Sequence, residues 1–145
     1  QGGEALAFAE SYLETPDEVG RAMSSLLSRD QSKSTAERAD WLVENLSSEQ
    51  IIPAIKSFTR NSYFGNKSDI IAWSTNLDPS PIHDIALNEM VHLIAGEENF
   101  EEAAQLAGSI SDDEMREEAT KYVDRRKNAA RDSKITPLPY TIELN

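Results

Sequence analysis

The chain has no cysteine, two histidines, six glycines and no long apolar run, and each shortage excludes a class of protein. Without cysteine it can form no disulfide, no thiolate zinc site and no cysteine nucleophile. Its glycines stand singly apart from Gly2-Gly3, so it has no glycine-rich phosphate loop, and no G-x-S-x-G turn holds a nucleophilic serine. No apolar run approaches the roughly 18 residues that span a bilayer, so we expect no membrane insertion.

Acidic residues outnumber basic ones by 26 to 14, which gives a formal net charge of −12 at pH 7. A field of this sign repels phosphate backbones and anionic lipids, so no nucleic-acid partner is expected. The basic residues cluster once, near the end of the last predicted helix and behind an acidic stretch over residues 112–118. This order suits the helix macrodipole, which favours acids in the first turn and bases in the last. The clustered residues are Lys121, Arg125, Arg126, Lys127 and Arg131.

A chain of 145 residues can bury the core of one domain without disulfides or metals. It begins with Gln-Gly-Gly rather than with methionine, which indicates either a removed leader or a piece of a longer protein. We therefore expect a soluble domain. Export of the full protein and further hairpins beyond this chain both stay open.

One spacing template occurs four times, at a period of 31 to 33 residues. A leucine or isoleucine anchors each copy, and a large apolar residue precedes it by four or five positions. The anchors are Leu13, Leu46, Leu77 and Ile110, and the preceding residues are Phe8, Trp41, Trp73 and Leu106. Such periods mark stacked helical units that cannot bury their apolar faces alone. We interpret the column of preceding residues as the core seam between hairpins.

Helix-start signals recur at fixed places in the template. Four residues precede a Glu or Gln by three positions, the spacing of a capping box, which satisfies orphan backbone N–H groups. They are Thr15, Ser34, Ser47 and Ser111. Asp78-Pro79 is predicted to open the sixth helix. Pro53 falls inside the fourth helix, where we expect it to bend or delay that helix.

These signals predict an all-α fold, an αα-superhelix (solenoid) of four antiparallel helical hairpins, because no segment shows the period-two alternation of strands. The hairpins are predicted over residues 4–30, 34–62, 66–94 and 97–131, within one helical-repeat domain over residues 1–131. Residues 132–145 carry two prolines and β-favouring residues and are predicted as an extended C-terminal tail. We expect residues 135–144 to pack as a strap on their own hairpins or on a neighbouring molecule.

The pattern resembles tetratricopeptide repeats in part, since Trp41 and Trp73 lie where that family carries its first-helix tryptophan. The Leu-Gly pair and the tyrosine of that family follow neither tryptophan, and Asp78-Pro79 opens a helix where its proline closes the repeat. The chain is more similar to degenerate helical-hairpin repeats of bacterial proteins of unknown function. Those repeats share a Trp or Leu, an Ile or Leu, an Asp-Pro-like cap and an alanine. The resemblance covers residues 5 to about 125 and implies an interaction role without catalytic residues.

The sequence offers one metal-like motif. Glu89 and His92 form an E-x-x-H, the spacing that places a carboxylate and an imidazole on one helix face in di-iron bundles. Such bundles need a second E-x-x-H, which the sequence lacks, so we predict no cofactor and no metal. A metal-binding or enzymatic domain centred on Glu89 and His92 is the alternative. His83 and Asp84 are adjacent, and neighbours along a helix are not expected to face each other.

Three aromatic residues stand outside the template, at the end of the predicted fourth helix and in the loop after it. Phe58, Tyr63 and Phe64 either staple the helix end or form a partner-binding patch, because aromatics are favoured interface anchors. The preferred function is a non-enzymatic module that binds a protein or peptide on an acidic hairpin array, with a basic partner favoured by charge. A structural segment of a longer repeat protein is a further alternative.

Overall fold

The structure is a computed structural model that describes residues 2–135, and 82% of these residues are helical. Its eight helices are α1 (Gly2–Tyr12), α2 (Pro16–Ser28), α3 (Thr35–Asn45), α4 (Ser48–Gly65), α5 (Lys67–Thr75), α6 (Pro81–Gly96), α7 (Phe100–Gly108) and α8 (Asp113–Ile135). The described residues contain no strand, which confirms the all-α prediction. Residues 132–135 continue α8, although we predicted that the extended tail begins at residue 132. The strap predicted for the tail lies beyond Ile135, outside the described residues.

The even-numbered helices form a row in chain order, with α2 packed on α4, α4 on α6 and α6 on α8. Each odd-numbered helix packs on the even-numbered helix that follows it, from α1 on α2 to α7 on α8. Contacts also join α2 to α3, α4 to α5 and α6 to α7. The chain therefore packs as four helix pairs in sequence. The superhelical path of these pairs stays a prediction.

Three of the four predicted capping boxes are confirmed. The side chains of Thr15, Ser34 and Ser47 accept hydrogen bonds from the backbone three residues later, at distances of 3.1, 3.1 and 3.2 Å. The Glu or Gln at that later position accepts a bond from the cap backbone in return. Short polar caps therefore fix the first turns of α2, α3 and α4, and with them the spacing of the first two helix pairs.

Two predicted helix starts are wrong by two residues or fewer. α6 begins at Pro81 with Ser80 as its cap, not at Asp78-Pro79, because Pro81 forces Ser80 into the extended region, at φ −169° and ψ 167°. α8 has no capping box at Ser111. Asp112 caps it instead, accepting from the Met115 N–H at 2.8 Å, while Ser111 turns to another helix.

Pro53 does not delay α4, which begins at Ser48 as its cap predicts and continues through the proline. The ring faces α2 at the point where the two helices approach most closely. A Cβ atom built on Gly20 would lie 2.3 Å from the Gln50 carbonyl oxygen and 3.0 Å from Pro53 Cγ. Only a glycine at position 20 permits this approach of α2 and α4.

The core is distributed unevenly along the chain. α6 buries eight residues, because it packs on α4, α5, α7 and α8. α1 buries only one, Ala9. The template column follows the same gradient, since Trp73 and Leu106 are buried, Trp41 is half-buried and Phe8 is exposed. Our assignment of Phe8 to the core seam is therefore wrong, because no helix of the described chain covers that side of α1.

Candidate functional site

The three aromatic residues singled out from the sequence do not share one surface. Phe58 is fully buried, Tyr63 is buried, and Phe64 is 72% exposed. Phe58 is part of the core beneath α4. The Arg38 guanidinium carbon lies over the Phe58 ring, 6.0 Å from the ring centroid. Phe64 alone could contact a partner directly.

Tyr63 joins two helices at their ends. Its hydroxyl donates to the Glu97 carboxylate after α6, and Lys67 Nζ lies 3.4 Å from the same Glu97 oxygen. Burial raises the pKa of the Tyr63 hydroxyl, and the hydrogen bond to Glu97 raises it further. This geometry favours the stapling interpretation for Tyr63.

The side chains of Glu89 and His92 have separate partners. Glu89 forms a 2.6 Å ion pair with Arg60 of α4. The His92 ring stacks on Tyr122 with centroids 4.1 Å apart, and its Nδ1 lies 2.8 Å from the Asn88 carbonyl oxygen. Within residues 2–135, no three His, Cys, Asp or Glu side chains converge as a metal site would require.

His83 and Asp84 do approach each other, contrary to our expectation for neighbours on a helix. His83 Nδ1 lies 3.4 Å from Asp84 Oδ1, and both side chains are buried. The approach is possible because Asp84 turns toward the start of α8, where it accepts hydrogen bonds from Ser111 and Asp112. This buried carboxylate holds two helices together and faces no cleft.

Three of the five exposed large apolar side chains in the described part of the chain lie on α1 and α2. Phe8 is 64% exposed, Tyr12 71% and Leu26 47%, and these three surround a cleft of about 330 Å³. The remaining lining is also apolar. We define the N-terminal apolar surface as Ala5, Phe8, Ala9, Tyr12, Leu13, Ala22, Met23 and Leu26.

Helical spacing produces this surface. Ala5, Phe8 and Tyr12 recur at three and four residues along α1, so their side chains share one face, and the Phe8 and Tyr12 rings lie 4.4 Å apart. Ala22 and Leu26 recur in the same way along α2. The adjacent side of α2 carries Met23 and Leu27, which are buried, and α2 packs on α4. Two helix faces therefore meet in an open groove.

A second, larger cleft adjoins the groove. It has a volume of about 650 Å³ and shares Ala5 and Leu26 with the N-terminal apolar surface. Trp41 of α3 forms part of its wall, and Arg29 and Lys33 reach it from the loop after α2. The two clefts give the first helix pair a continuous concavity, apolar on one side and mixed on the other.

The part of the chain that supplies most of the N-terminal apolar surface is acidic, and we refer to its acidic residues as the acidic rim. Residues 2–20 contain five acidic residues and no lysine or arginine. All five are exposed: Glu4, Glu10, Glu14, Asp17 and Glu18. Glu18 is fixed by the cap of α2, and the hydrogen bond from the Thr15 backbone lowers its pKa. The Glu18 carboxylate therefore keeps its negative charge at neutral pH.

The periodic pattern does not reveal this surface, because the four template copies are alike in sequence. We assigned Phe8 to the core seam by analogy with the copies that follow. Within the described chain no helix covers that face of α1 and α2, so its apolar side chains stay exposed. The absence of polar residues from that face of α1 and α2 was the available signal.

No protein-family model, curated protein or solved structure matches the chain. The resemblance to helical-hairpin repeats therefore stays a prediction from the sequence pattern. Among residues 2–135, no helix combines the length and the apolarity needed to cross a bilayer.

Proposed function

We propose that the chain is a non-enzymatic interaction module that binds a protein segment at the N-terminal apolar surface. The observation that carries the proposal is the exposure of Phe8, Tyr12 and Leu26 around one apolar cleft. Single exposed apolar residues are ordinary, whereas a contiguous patch rimmed by polar groups is typical of an interaction site. Aromatic side chains in such a patch are the usual energetic anchors.

The partner should be apolar and basic. A groove between two helices accepts the apolar face of a third helix, with anchors at three- and four-residue spacing. The five acidic residues of the rim attract positive charge on the flanks of that segment and repel negative charge. Electrostatic attraction should raise the association rate and weaken as salt is added.

Two synthetic helical peptides test this proposal. Both carry leucine at helical spacing, and their polar positions are all lysine in one and all glutamate in the other. Binding can be followed through the fluorescence of Trp41, which lines the adjoining cleft. We expect the lysine peptide to bind, with a dissociation constant that rises with salt, and the glutamate peptide not to bind.

Phe8→Ser should weaken binding of the lysine peptide by about tenfold or more, as loss of an aromatic anchor does. Phe64→Ser is the matched control, because Phe64 is equally exposed and lies at the end of α4. Equal weakening by the two substitutions would show that the peptide follows the net charge and not this site. Binding of the glutamate peptide would contradict the acidic rim.

A further inference from the structure

We propose that the partner at the N-terminal apolar surface is the C-terminal segment, residues 125–145, of a second copy of this chain. Copies would then associate head to tail. The inference rests on the proposed function of the surface and names its occupant. It is carried by three features of the chain's other end: an exposed basic helix, an apolar sequence that follows it, and the distance between that helix and α2 within one molecule.

The second half of α8 is exposed. From residue 113 to 134, Val123 is the last buried residue of α8, and from residue 124 to 134 every residue is exposed except the half-buried Ala130. These residues span about 16 Å of helix at 1.5 Å per residue. Within the described chain, Arg125, Arg126 and Lys127 form no ion pair. A large cationic surface is therefore open to a partner.

The charges of the two ends are complementary. Residues 2–20 carry five acidic and no basic residues, a net charge of −5. The C-terminal segment carries five basic and two acidic residues, a net charge of +3. In a chain whose total is −12, this separation places the one cationic region at the opposite end from the apolar groove. Two copies that meet head to tail pair unlike charges, whereas two that meet head to head oppose like charges.

The C-terminal segment also supplies apolar side chains to cover the groove. Its sequence after α8 contains a single charged residue, Glu143. Two prolines in this stretch lower the entropy lost when it is ordered against a partner. The apolar residues of this stretch are Leu138, Tyr140, Ile142 and Leu144. The cationic helix is complementary in charge to the acidic rim, and the apolar sequence that follows it is suited to the apolar groove.

In its own molecule the cationic helix lies far from the groove. The row of helices places α8 three packing steps from α2. Each step spans about 8–10 Å, so the separation is about 24–30 Å. The nine residues after Ile135, as far as Leu144, can span about 30–32 Å when fully extended, but the helix before them is held against α6 and α7. Only a second copy therefore brings the cationic helix and the apolar sequence to one groove.

Because the groove and the C-terminal segment are different surfaces, every pair of copies keeps one unoccupied groove and one unbound C-terminal segment. Such heterologous contacts build rings if the rotation closes and open chains if it does not. The mass in solution should therefore rise past that of two copies as the concentration increases. It should fall when ionic strength is raised from about 0.05 to about 0.5 M, because salt screens the charge attraction.

The experiment is sedimentation velocity on the 145-residue chain and on two variants. Phe8→Ser disables the groove, and a chain ending at residue 135 lacks the apolar strap. Each variant alone should be monomeric. An equimolar mixture should form pairs of one copy each and nothing larger, because the groove of the truncated chain binds the strap of Phe8→Ser. Phe64→Ser should associate as the unaltered chain does.

Three results would overturn the inference: an unaltered chain that is monomeric at every concentration, a truncated chain that still associates, or a mixture that stays monomeric. Persistent association without residues 136–145 would identify a head-to-head contact instead. A peptide of residues 125–145 should also bind the truncated chain, and one of the same composition in scrambled order should bind about tenfold more weakly. If the leucine–lysine peptide binds at Phe8 while the peptide of residues 125–145 does not, the proposed function stands and the self-association is wrong.

Discussion

Asp84 on α6 holds the start of α8 through Ser111, 27 residues further along the chain. The Ser111 backbone N–H donates to Asp84 Oδ1 at 2.7 Å, and its hydroxyl donates to Oδ2 at the same distance. The Asp112 N–H donates to Oδ2 at 3.0 Å. One buried carboxylate thus satisfies two backbone N–H groups at a helix N-terminus, where the dipole favours negative charge.

Asp84→Asn should destabilise the protein by about 1.5–3 kcal/mol, because the amide cannot accept all the hydrogen bonds that the charged oxygens accept. Urea unfolding at pH 7 measures this difference. Asp124→Asn is the matched control, since Asp124 is exposed on α8. A loss of stability in Asp84→Asn no greater than in the control would show that the carboxylate does not hold α8.

The same contact predicts an acid dependence. Burial would raise the pKa of Asp84, but the hydrogen bonds from Ser111 and Asp112 outweigh it and lower the pKa below the ordinary 3.8. A lowered pKa in the folded state contributes stability that is present above the ordinary pKa and is lost as the pH falls through the folded value. The gap in stability between the unaltered chain and Asp84→Asn should therefore narrow below about pH 4. A constant gap down to pH 2 would contradict this sign.

Gly20→Ala should destabilise the protein by about 1–3 kcal/mol, because the new methyl group would meet the Gln50 carbonyl oxygen. The clash exceeds the gain of roughly 1 kcal/mol that alanine brings inside a helix. Gly96→Ala is the control, since a Cβ there meets nothing within 4 Å. Thermal unfolding of both variants should show opposite shifts. A stabilised Gly20→Ala would mean that α2 and α4 are further apart.

Trp73→Ala should cost about 3–5 kcal/mol, as buried large-to-small changes do. Trp73 is 7% exposed, and its indole N–H donates to Asp40 of α3 at 3.1 Å. Trp41→Ala should cost less, because Trp41 is only half-buried at the wall of a cleft. The midpoints of urea unfolding show which of the two variants loses more stability. Equal costs would show that α1 covers Trp41 more fully in solution.

The Tyr63 hydroxyl should lose its proton at a higher pH than the hydroxyl of an ordinary tyrosine. Burial raises its pKa above 10.0, and the bond to Glu97 adds to the shift. A raised pKa contributes stability below the ordinary value and loses it as the pH rises through the folded value. Absorbance titration of the folded chain should show a late tyrosinate transition that Tyr63→Phe removes. A late transition that persists in Tyr63→Phe would assign it to another tyrosine.

The sequence predicted the helices well where the signal was local. The boxes at Thr15, Ser34 and Ser47 determined helix starts because a cap bonds to its own first turn. The box at Ser111 failed because a distant residue, Asp84, competed for its hydroxyl. No spacing rule along the chain can detect such a contact.

The candidate site was harder to predict. Phe58 and Phe8 are both phenylalanines on predicted helices, yet one is fully buried and the other is 64% exposed. Their difference depends on whether a further helix pair covers them, which is a property of position in the array. The periodic pattern determines which side of each helix is apolar, and only the packed structure shows which apolar side is left open.

The single buried residue of α1 has a consequence for the energetics of binding. Segments with few buried contacts open locally at low free-energy cost, often far below that of global unfolding. α1 contributes only Ala9 to the core, so its amide hydrogens should exchange with solvent faster than those of α6. A ligand that contacts both α1 and α2 binds only when α1 is packed on α2. Part of the binding free energy is therefore used to hold α1 in place, which lowers the apparent affinity of the ligand. Binding at the site should then slow hydrogen exchange along the whole of α1, including the residues that the ligand does not contact.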